Sequence, residues 1–389
     1  MCQPLCEDQE PQTKGRSAAD GARRLFDASG LAFSPRGLTG HPPYFGTVVP
    51  KIGTLRVDLQ ASGMSRLRVI VVGMGFMGLL HARAVRGLRS AELVGVVDLN
   101  ETAATTAGES LGVPAFTDLA QAIRESRAQA AIIATPDPSH RRPTEVALDA
   151  GLAVLVEKPL ATTVEDAQAM TELARRQGAR LMTGHLFRFD ARYAQAAETI
   201  RSGRLGKPFL FTARHWSTRS LGARVGEVTS PLWHFSIHHI DAIQWISGAS
   251  IESIDGAQAL ASAGGSSAFL AIGALSSGAG FQISTGWTLP DTGGRSTEFE
   301  AHCERGVVRI TFAPGGGLAL WDETRGHEVE ATAWPLIHGR IEGLLRREIE
   351  HFVEAVLDGT DFVITPEDAI AAISSAVALE NASIRRTAP

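Results

Sequence analysis

The chain is poor in cysteine. Only Cys2, Cys6 and Cys303 occur in 389 residues. So odd and sparse a set makes no disulfide framework and fits a reducing cytoplasm. Cys2 and Cys6 lack histidine or cysteine partners at ligand spacing, so they read as an incidental pair rather than a metal site. Long apolar runs are also missing: none approaches the roughly 18 residues needed to span a bilayer. The net charge is −5 and no long basic run occurs, which leaves no footprint for nucleic acid or a membrane surface. Arg23 and Arg24 raise the thought of a twin-arginine export signal, but the apolar stretch that should follow is absent, since "LAF" runs straight into "SPRG". Residues 1–64 also lack sustained periodicity and are polar and Gly/Pro-rich, which predicts a disordered extension, with Met64 a natural start. What remains, 44% hydrophobic and 20% charged over the whole chain, is enough for two soluble globular domains.

The first of these is expected over residues 65–185. "LRVIVV" (67–72) is a continuous β-branched run, as suits a strand buried on both faces. Gly73-Met74-Gly75-Phe76-Met77-Gly78 follows and opens the helical pattern "LLHARAVRGL". Gly73 permits the tight turn, Gly75 lets backbone approach a pyrophosphate, and Gly78 allows close helix–strand packing. The helix then offers free N–H groups and its positive end to phosphates. A second strand, "ELVGVVD", ends at Asp98, twenty residues after Gly78. A carboxylate there would hydrogen-bond ribose hydroxyls and repel a 2′-phosphate, and no arginine follows it. The pattern therefore favours NAD over NADP, with Phe76 and Met77 among the binding residues.

Strands and helices keep alternating through "AQAAIIATP", "SHRRPTEVALDAG", "LAVLVEKP", "TVEDAQAMTELARRQG" and "ARLMTGH". Ser139 reads as the cap of the second segment and Thr163 as the cap of the fourth. Such alternation implies an α/β fold with a doubly wound parallel sheet, whose ligands bind at the carboxyl ends of its strands. Thr135, Pro136, Glu157, Lys158 and His185 all fall at such ends. Glu157-Lys158-Pro159 sits where the nicotinamide end of a dinucleotide should lie. Pro159 restricts Lys158 to extended geometry. A fixed ammonium there would favour negative charge on a substrate oxygen losing its proton, whereas a plain surface lysine at a strand end is the structural alternative.

Together, "VVGMGFMG", "VVDLN", "ATPDPSH", "AGLAVLVEKPL", "TGHLFRFD", "SGRLGKPFLF" and "TPEDAIAAISSAVALENA" resemble, in order, the Gfo/Idh/MocA family, the glucose–fructose oxidoreductase and inositol dehydrogenase group. The resemblance runs from about Ser65 to the C-terminus. It implies a Rossmann domain followed by a second α/β domain, here residues 186–389, on an open and mostly antiparallel sheet that mediates homo-oligomerisation as a dimer or tetramer. It implies that Lys158 is the active-site lysine, and that a helix over 366–386 packs back on the first domain. The second half fits independently: "KPFLFTARHW", "SSAFLAIGALSSG", "AGFQISTGWTL" and "STEFEAHCERGVVRI" are strand-like runs divided by Gly/Ser turns.

The segment "PLWHFSIHHID" (231–241) holds three histidines and an aspartate. The family pattern there is Asp-x-x-x-His-x-x-Asp, the histidine being the general base. Anchored on Asp241, it makes His238 the base and puts His234 where an aspartate is expected. On one continuous helix His234 and His238 share a face and His239 turns about 100° away, as a packing residue. Histidines at i and i+4 also have zinc-ligand spacing, with His215 and His185 as distant candidates, but a hydride enzyme with a catalytic lysine needs no metal. If protonated, His234 would lower the pKa of His238 and, with Lys158 and Arg188, make the pocket suit a carboxylated substrate. The segment also resembles the 4-carboxy-2-hydroxymuconate semialdehyde dehydrogenase branch of the family.

The expectation is an NAD-dependent oxidoreductase moving a hydride between nicotinamide and a hydroxyl- or hemiacetal-bearing carbon of a small molecule. Lys158 and His238 act in catalysis, His234 tunes or binds, and His185, Arg188 and Trp233 are substrate candidates. A sugar or polyol is the second substrate class, and a catalytically silent NAD-binding protein is the alternative of another kind.

Overall fold

The computed structural model describes residues 66–262, 267–292, 294–312, 319–321, 326–328 and 331–388. The extension expected over 1–64 lies outside them. The first strand, β1 (Leu67–Val72), is apolar on both faces and pairs in parallel with β2 (Ala91–Val97) and β4 (Ala130–Ile133). With β3 (Ala115–Phe116), β5 (Ala153–Glu157) and β6 (Leu181–Gly184) these form one parallel sheet of order β3-β2-β1-β4-β5-β6. The order reverses between β1 and β4, so the crevice for a ligand opens above their carboxyl ends.

The crossover helices are α1 (Phe76–Gly87), α2 (Glu101–Leu111), α3 (Leu119–Ser126), α4 (Arg141–Asp149) and α5 (Val164–Gln177). Asn100, Asp118 and Thr163 cap α2, α3 and α5 by accepting a backbone N–H in the first turn. Each such cap is worth about 1 kcal/mol. Ser139 does not cap α4. It ends a short 3-10 turn (Asp137–Ser139), and His140 precedes the helix with no side-chain cap, because Pro138 has already started the turn.

Beyond β6 a 3-10 turn (Leu186–Phe189) leads into α6 (Ala191–Arg201), capped by Asp190. There follow β7 (Pro208–Thr218), α7 (Arg219–Val225), a π-helical turn (Leu232–Ser236) and α8 (Ile237–Ser247). Then come β8 (Ile251–Ser262), β9 (Ser267–Leu275), β10 (Gly280–Leu289), β11 (Ser296–Cys303) and β12 (Gly306–Phe312). Two small hairpins, β13 (Ala319–Trp321) with β14 (Gly326–Glu328) and β15 (Leu336–Ile337) with β16 (Arg340–Ile341), precede α9 (Leu344–Asp358), α10 (Pro366–Ala382) and β17 (Ser383–Ala388). The second sheet runs β12-β11-β7-β10-β9-β8-β17. Only β7/β10 and β8/β17 pair in parallel, so it is mixed and mostly antiparallel. α10 starts at a full capping box of Thr365 and Asp368. It stops four residues short of the expected 366–386 helix, because residues from Ser383 onward extend to pair with β8 at the sheet edge.

The two layers share their covering. One face of the parallel sheet (Val69, Val71) packs with Leu80 and Val85 of α1 and with Leu345, Ile349, Phe352 and Val353 of α9. On the other face, Ile70, Val72 and Val154 join α4 and α5 in a core that runs on through α10 into Phe211, Phe281 and Phe299 of the second sheet.

Candidate functional site

Three glycines shape the turn after β1. Gly73 has φ +93°, and a Cβ there would lie 2.6 Å from the Ala134 carbonyl oxygen. A Cβ on Gly78 would lie 1.7 Å from the Gly73 oxygen. Gly75 differs, since nothing stands within 4 Å of where its Cβ would be. It is the N-cap of α1, makes no side-chain cap, and is followed by no acidic residue in the first turn. Open space and free N–H groups at a helix N-terminus are what a pyrophosphate needs. Asp98 closes the far side. One carboxylate oxygen accepts the Met74 N–H at 2.7 Å and the other the Asn100 N–H at 2.8 Å. The acid is thereby fixed against the glycine turn, at ribose-hydroxyl position for a dinucleotide lying on it. Phe76 stays largely exposed, its ring edge-on to Trp334 at 5.8 Å between centroids.

The ends of β4 and β5 are tied together by His140, a buried residue. One ring nitrogen lies 2.7 Å from the Pro159 carbonyl oxygen and the other 2.9 Å from that of Thr135. Behind the lysine, Glu157 meets Nε2 of buried His81 at 2.7 Å. Burial works against the Glu157 charge, but the hydrogen bond to His81 and the charges of His81, Lys158 and His140 hold its carboxyl below the ordinary range. Lys158 itself is half-buried, and its Nζ donates to the His234 carbonyl oxygen at 3.1 Å. That contact joins the strand end to the histidine segment.

The segment is not one continuous helix. Residues 232–236 wind as a π turn, and α8 begins at Ile237. The turn is pinned to β10, where the buried hydroxyls of Ser236 and Thr285 bond at 2.8 Å and Thr285 also donates to the Pro231 carbonyl. π turns are short, costly and common at functional sites. His234 and His238 remain the half-buried members, while His239 is fully buried against Phe187 and His215. Burial, then the charges of Lys158 and Arg295, push the His234 imidazole down to about 3. Burial and then Lys158 likewise hold His238 well below its usual value. Both rings are therefore neutral at physiological pH.

The nucleotide-binding residues named from sequence gather at the carboxyl edge of the parallel sheet, and Lys158, His234 and His238 sit together beside them. Two other candidates, Arg188 and Trp233, do not join them, whereas His185 lies near enough to Lys158 and His238 to act on them electrostatically. Arg188 is buried and committed, with Nη2 2.6 Å from Asp241, Nε 3.1 Å from the same carboxylate and Nη1 3.0 Å from Asp368. Its guanidinium gains more from two carboxylates than from an open site. Trp233 is buried and its indole N–H points to Glu380 of α10 at 3.2 Å. His185 is buried, its Nδ1 3.8 Å from Asp241. With Arg188 engaged and His234 neutral, two reasons for an anionic substrate fall away. Among the described residues no group of three or more His, Cys, Asp or Glu side chains could hold a metal ion. The sequence reading missed His81, His140, Trp334, Glu348 and Arg295. The histidine closing "ATPDPSH" is the one of these that stood within a motif.

Comparison with known proteins decides the lineage. Residues 67–185 match the oxidoreductase family with the NAD-binding Rossmann fold, and residues 193–309 match the C-terminal domain model of the same Gfo/Idh/MocA group, together more than half of the chain. The chain belongs to the Gfo/Idh/MocA oxidoreductase family. Inositol 2-dehydrogenase of Rubrobacter xylanophilus is 34% identical over 49% of this chain and 54% of its own length, so the match spans about half of that relative. Inositol 2-dehydrogenase 4 of Saccharopolyspora erythraea is 28% identical over 75% of this chain and 86% of its own. In structure, the scyllo-inositol dehydrogenase of Lactobacillus casei with bound NAD(H) and scyllo-inositol superposes with a TM-score of 0.67 at 21% identity, covering 82% of this chain and 97% of the other. That likeness establishes the two-domain Gfo/Idh/MocA fold. The family's N-terminal domain binds NAD, and the glycine turn, the open place at Gly75 and the loop-held Asp98 fit that cofactor.

Proposed function

We propose that this chain is an NAD-dependent dehydrogenase acting on a secondary hydroxyl of a small polyhydroxylated molecule, a cyclic polyol or sugar. The observation that carries this reading is the meeting of Lys158 with the His234–His238 turn beside the nucleotide-binding edge. NAD, held by Gly73, Gly75, Gly78 and Asp98, would supply the hydride-accepting centre. The protein's own residues handle the proton. Neutral His238 accepts it from the substrate hydroxyl, and the Lys158 ammonium holds the oxygen on which negative charge develops. Burial and then the Lys158 charge keep His238 unprotonated and also make it a weaker base. Lys158 offsets this by making the hydroxyl more acidic through the same field. Neutral His234 offers a ring nitrogen to a neighbouring hydroxyl, a role that suits an uncharged substrate better than a carboxylate.

Relatives named as inositol dehydrogenases support the polyol class, whereas the carboxylated class keeps Lys158 and loses Arg188 and the charge on His234. Among the described residues no helix is long and apolar enough to cross a membrane. A cytoplasmic setting accords with the sparse cysteines, and a homo-oligomer through the second sheet belongs to the same reading. The test is a screen by NADH absorbance with inositols, sugars and carboxylated semialdehydes in parallel, repeated with NADP. Turnover is expected with a polyol or sugar and NAD. Binding of NADH with no turnover across the panel overturns the reading in favour of a silent cofactor-binding protein.

A further inference from the structure

Behind the lysine lies a group of ionisable side chains that the proposed chemistry does not use. His81 comes from α1, Glu157 from the end of β5 and Glu348 from α9. Glu348 is fully buried. Its carboxyl leans over Gly184 of β6. A Cβ on that glycine would lie 3.4 and 3.6 Å from the two Glu348 oxygens and 3.6 Å from the Glu157 Cα. Gly184 is the register partner of Glu157, and paired residues of a parallel sheet project to one face, so both carboxyl groups lie on the α9 side of this strand end. No donor among the described residues reaches either Glu348 oxygen, and unpaired buried carboxylate oxygens are costly.

Two adjacent carboxyl groups out of water do not both stay charged. Glu157 is the one provided for. His81 bonds one of its oxygens at 2.7 Å, and the Lys158 backbone N–H donates to the other at 3.2 Å. Burial, and then the Glu157 charge, push the Glu348 carboxyl well above the usual range. Of the other charged groups around this point, His140 is taken up by two carbonyls, and Arg188 in the turn below α9 by Asp241 and Asp368. A carboxyl that keeps its proton is a donor as well as an acceptor. Glu157 is the acceptor beside it.

We propose that Glu348 donates a hydrogen bond to the Glu157 carboxylate and thereby fixes the strand end that carries Lys158. Glu348 is then a positioning residue, acting through Glu157 on the lysine from a helix more than 180 residues further along the chain. The proposal rests on the reading of Lys158 as the active-site lysine. It explains why α9 brings a carboxyl, rather than an apolar residue, into a face otherwise filled by Leu345, Ile349, Phe352 and Val353.

Two substitutions separate this role from packing. Glu348→Gln keeps the shape and a donor, whereas Glu348→Leu fills the space without one. The Gln variant is expected to keep kcat within about 3-fold of the parent, and the Leu variant to lose about 10-fold or more in kcat with NAD affinity unchanged, the signature of a displaced catalytic group. Difference infrared spectroscopy of the full chain at neutral pH should show a protonated carboxyl band that disappears in Glu348→Gln. Wild-type kcat in the Leu variant overturns the positioning role. The absence of a carboxyl band lost on Gln substitution overturns the proton on Glu348, and this arm stands even if the Leu variant does not fold. Because the infrared and NAD-binding arms need no turnover, their failure is distinct from failure of the substrate screen.

Discussion

The glycine turn over residues 73–78 and the histidine segment over 231–241 face the same site and obtain their chemistry differently. The turn works through backbone. Gly73 and Gly78 stand where no Cβ fits, and the groups offered to a ligand are backbone N–H groups that every residue except proline possesses. The histidine segment works through side chains whose character is set by what surrounds them. His234, His238 and His239 are one residue type with one intrinsic titration, separated into roles by burial, by the π turn and by Lys158. The first region is built from a short backbone turn seated against the neighbouring strand ends, and the second takes its character from side chains gathered from the whole fold.

The largest expected effect breaks the link between the two regions. Lys158→Ala should lower kcat by about 1,000-fold, combining the lost oxygen-stabilising charge with a displaced His234 turn, while NAD binding by fluorescence titration stays near the parent value. Full activity in that variant would sink the proposed chemistry. Next, Gly75→Ala tests the backbone region without harming the fold. Its Cβ enters open space, so Tm should hold, but NAD affinity should fall on the order of 10- to 100-fold as the methyl meets the pyrophosphate. Gly78→Ala should instead cost stability, because its Cβ would lie 1.7 Å from a backbone oxygen. Equal melting temperatures for the two alanine variants would erase that distinction. Asp98→Ser should weaken NAD by about 10-fold and narrow the preference over NADP, read as the ratio of kcat/KM values.

A last test concerns stability rather than turnover and belongs to the buried histidines. His239 titrates at about 3 in the folded chain, against about 6.5 when unfolded. The unfolded state therefore binds more protons below pH 6.5, and stability must fall as pH drops from there towards 3. Each such histidine contributes a loss of about 1 kcal/mol per pH unit over that window. A denaturation midpoint flat between pH 7 and pH 5 would contradict the burial of the cluster.

The contrast between the regions also explains what was legible beforehand. The parallel sheet, the nucleotide turn, Asp98 and the strand-end lysine are written in runs of adjacent residues, where periodicity and spacing carry physical meaning. Helical spacing put His234 and His238 on one face, but a π turn over residues 232–236 replaces the continuous helix on which that expectation rested. Arg188 and Trp233 misled because their partners, Asp368 and Glu380, lie on α10 at the other end of the chain. No local pattern announces which polar side chain will find a buried partner. The same holds for Glu348, which in sequence is one more acid on an amphipathic helix.

The packing of α9 across the parallel sheet has a bearing on how the protein is made. A ribosome releases β1 through β6 long before Leu345, Ile349 and Phe352, the side chains that seal one face of that sheet with α1. Until then the nascent nucleotide-binding half carries an uncovered apolar strip. Its completion waits on a helix that starts more than 150 residues after β6 ends, so a chain stopped before α9 leaves one face of the nucleotide-binding sheet open to water.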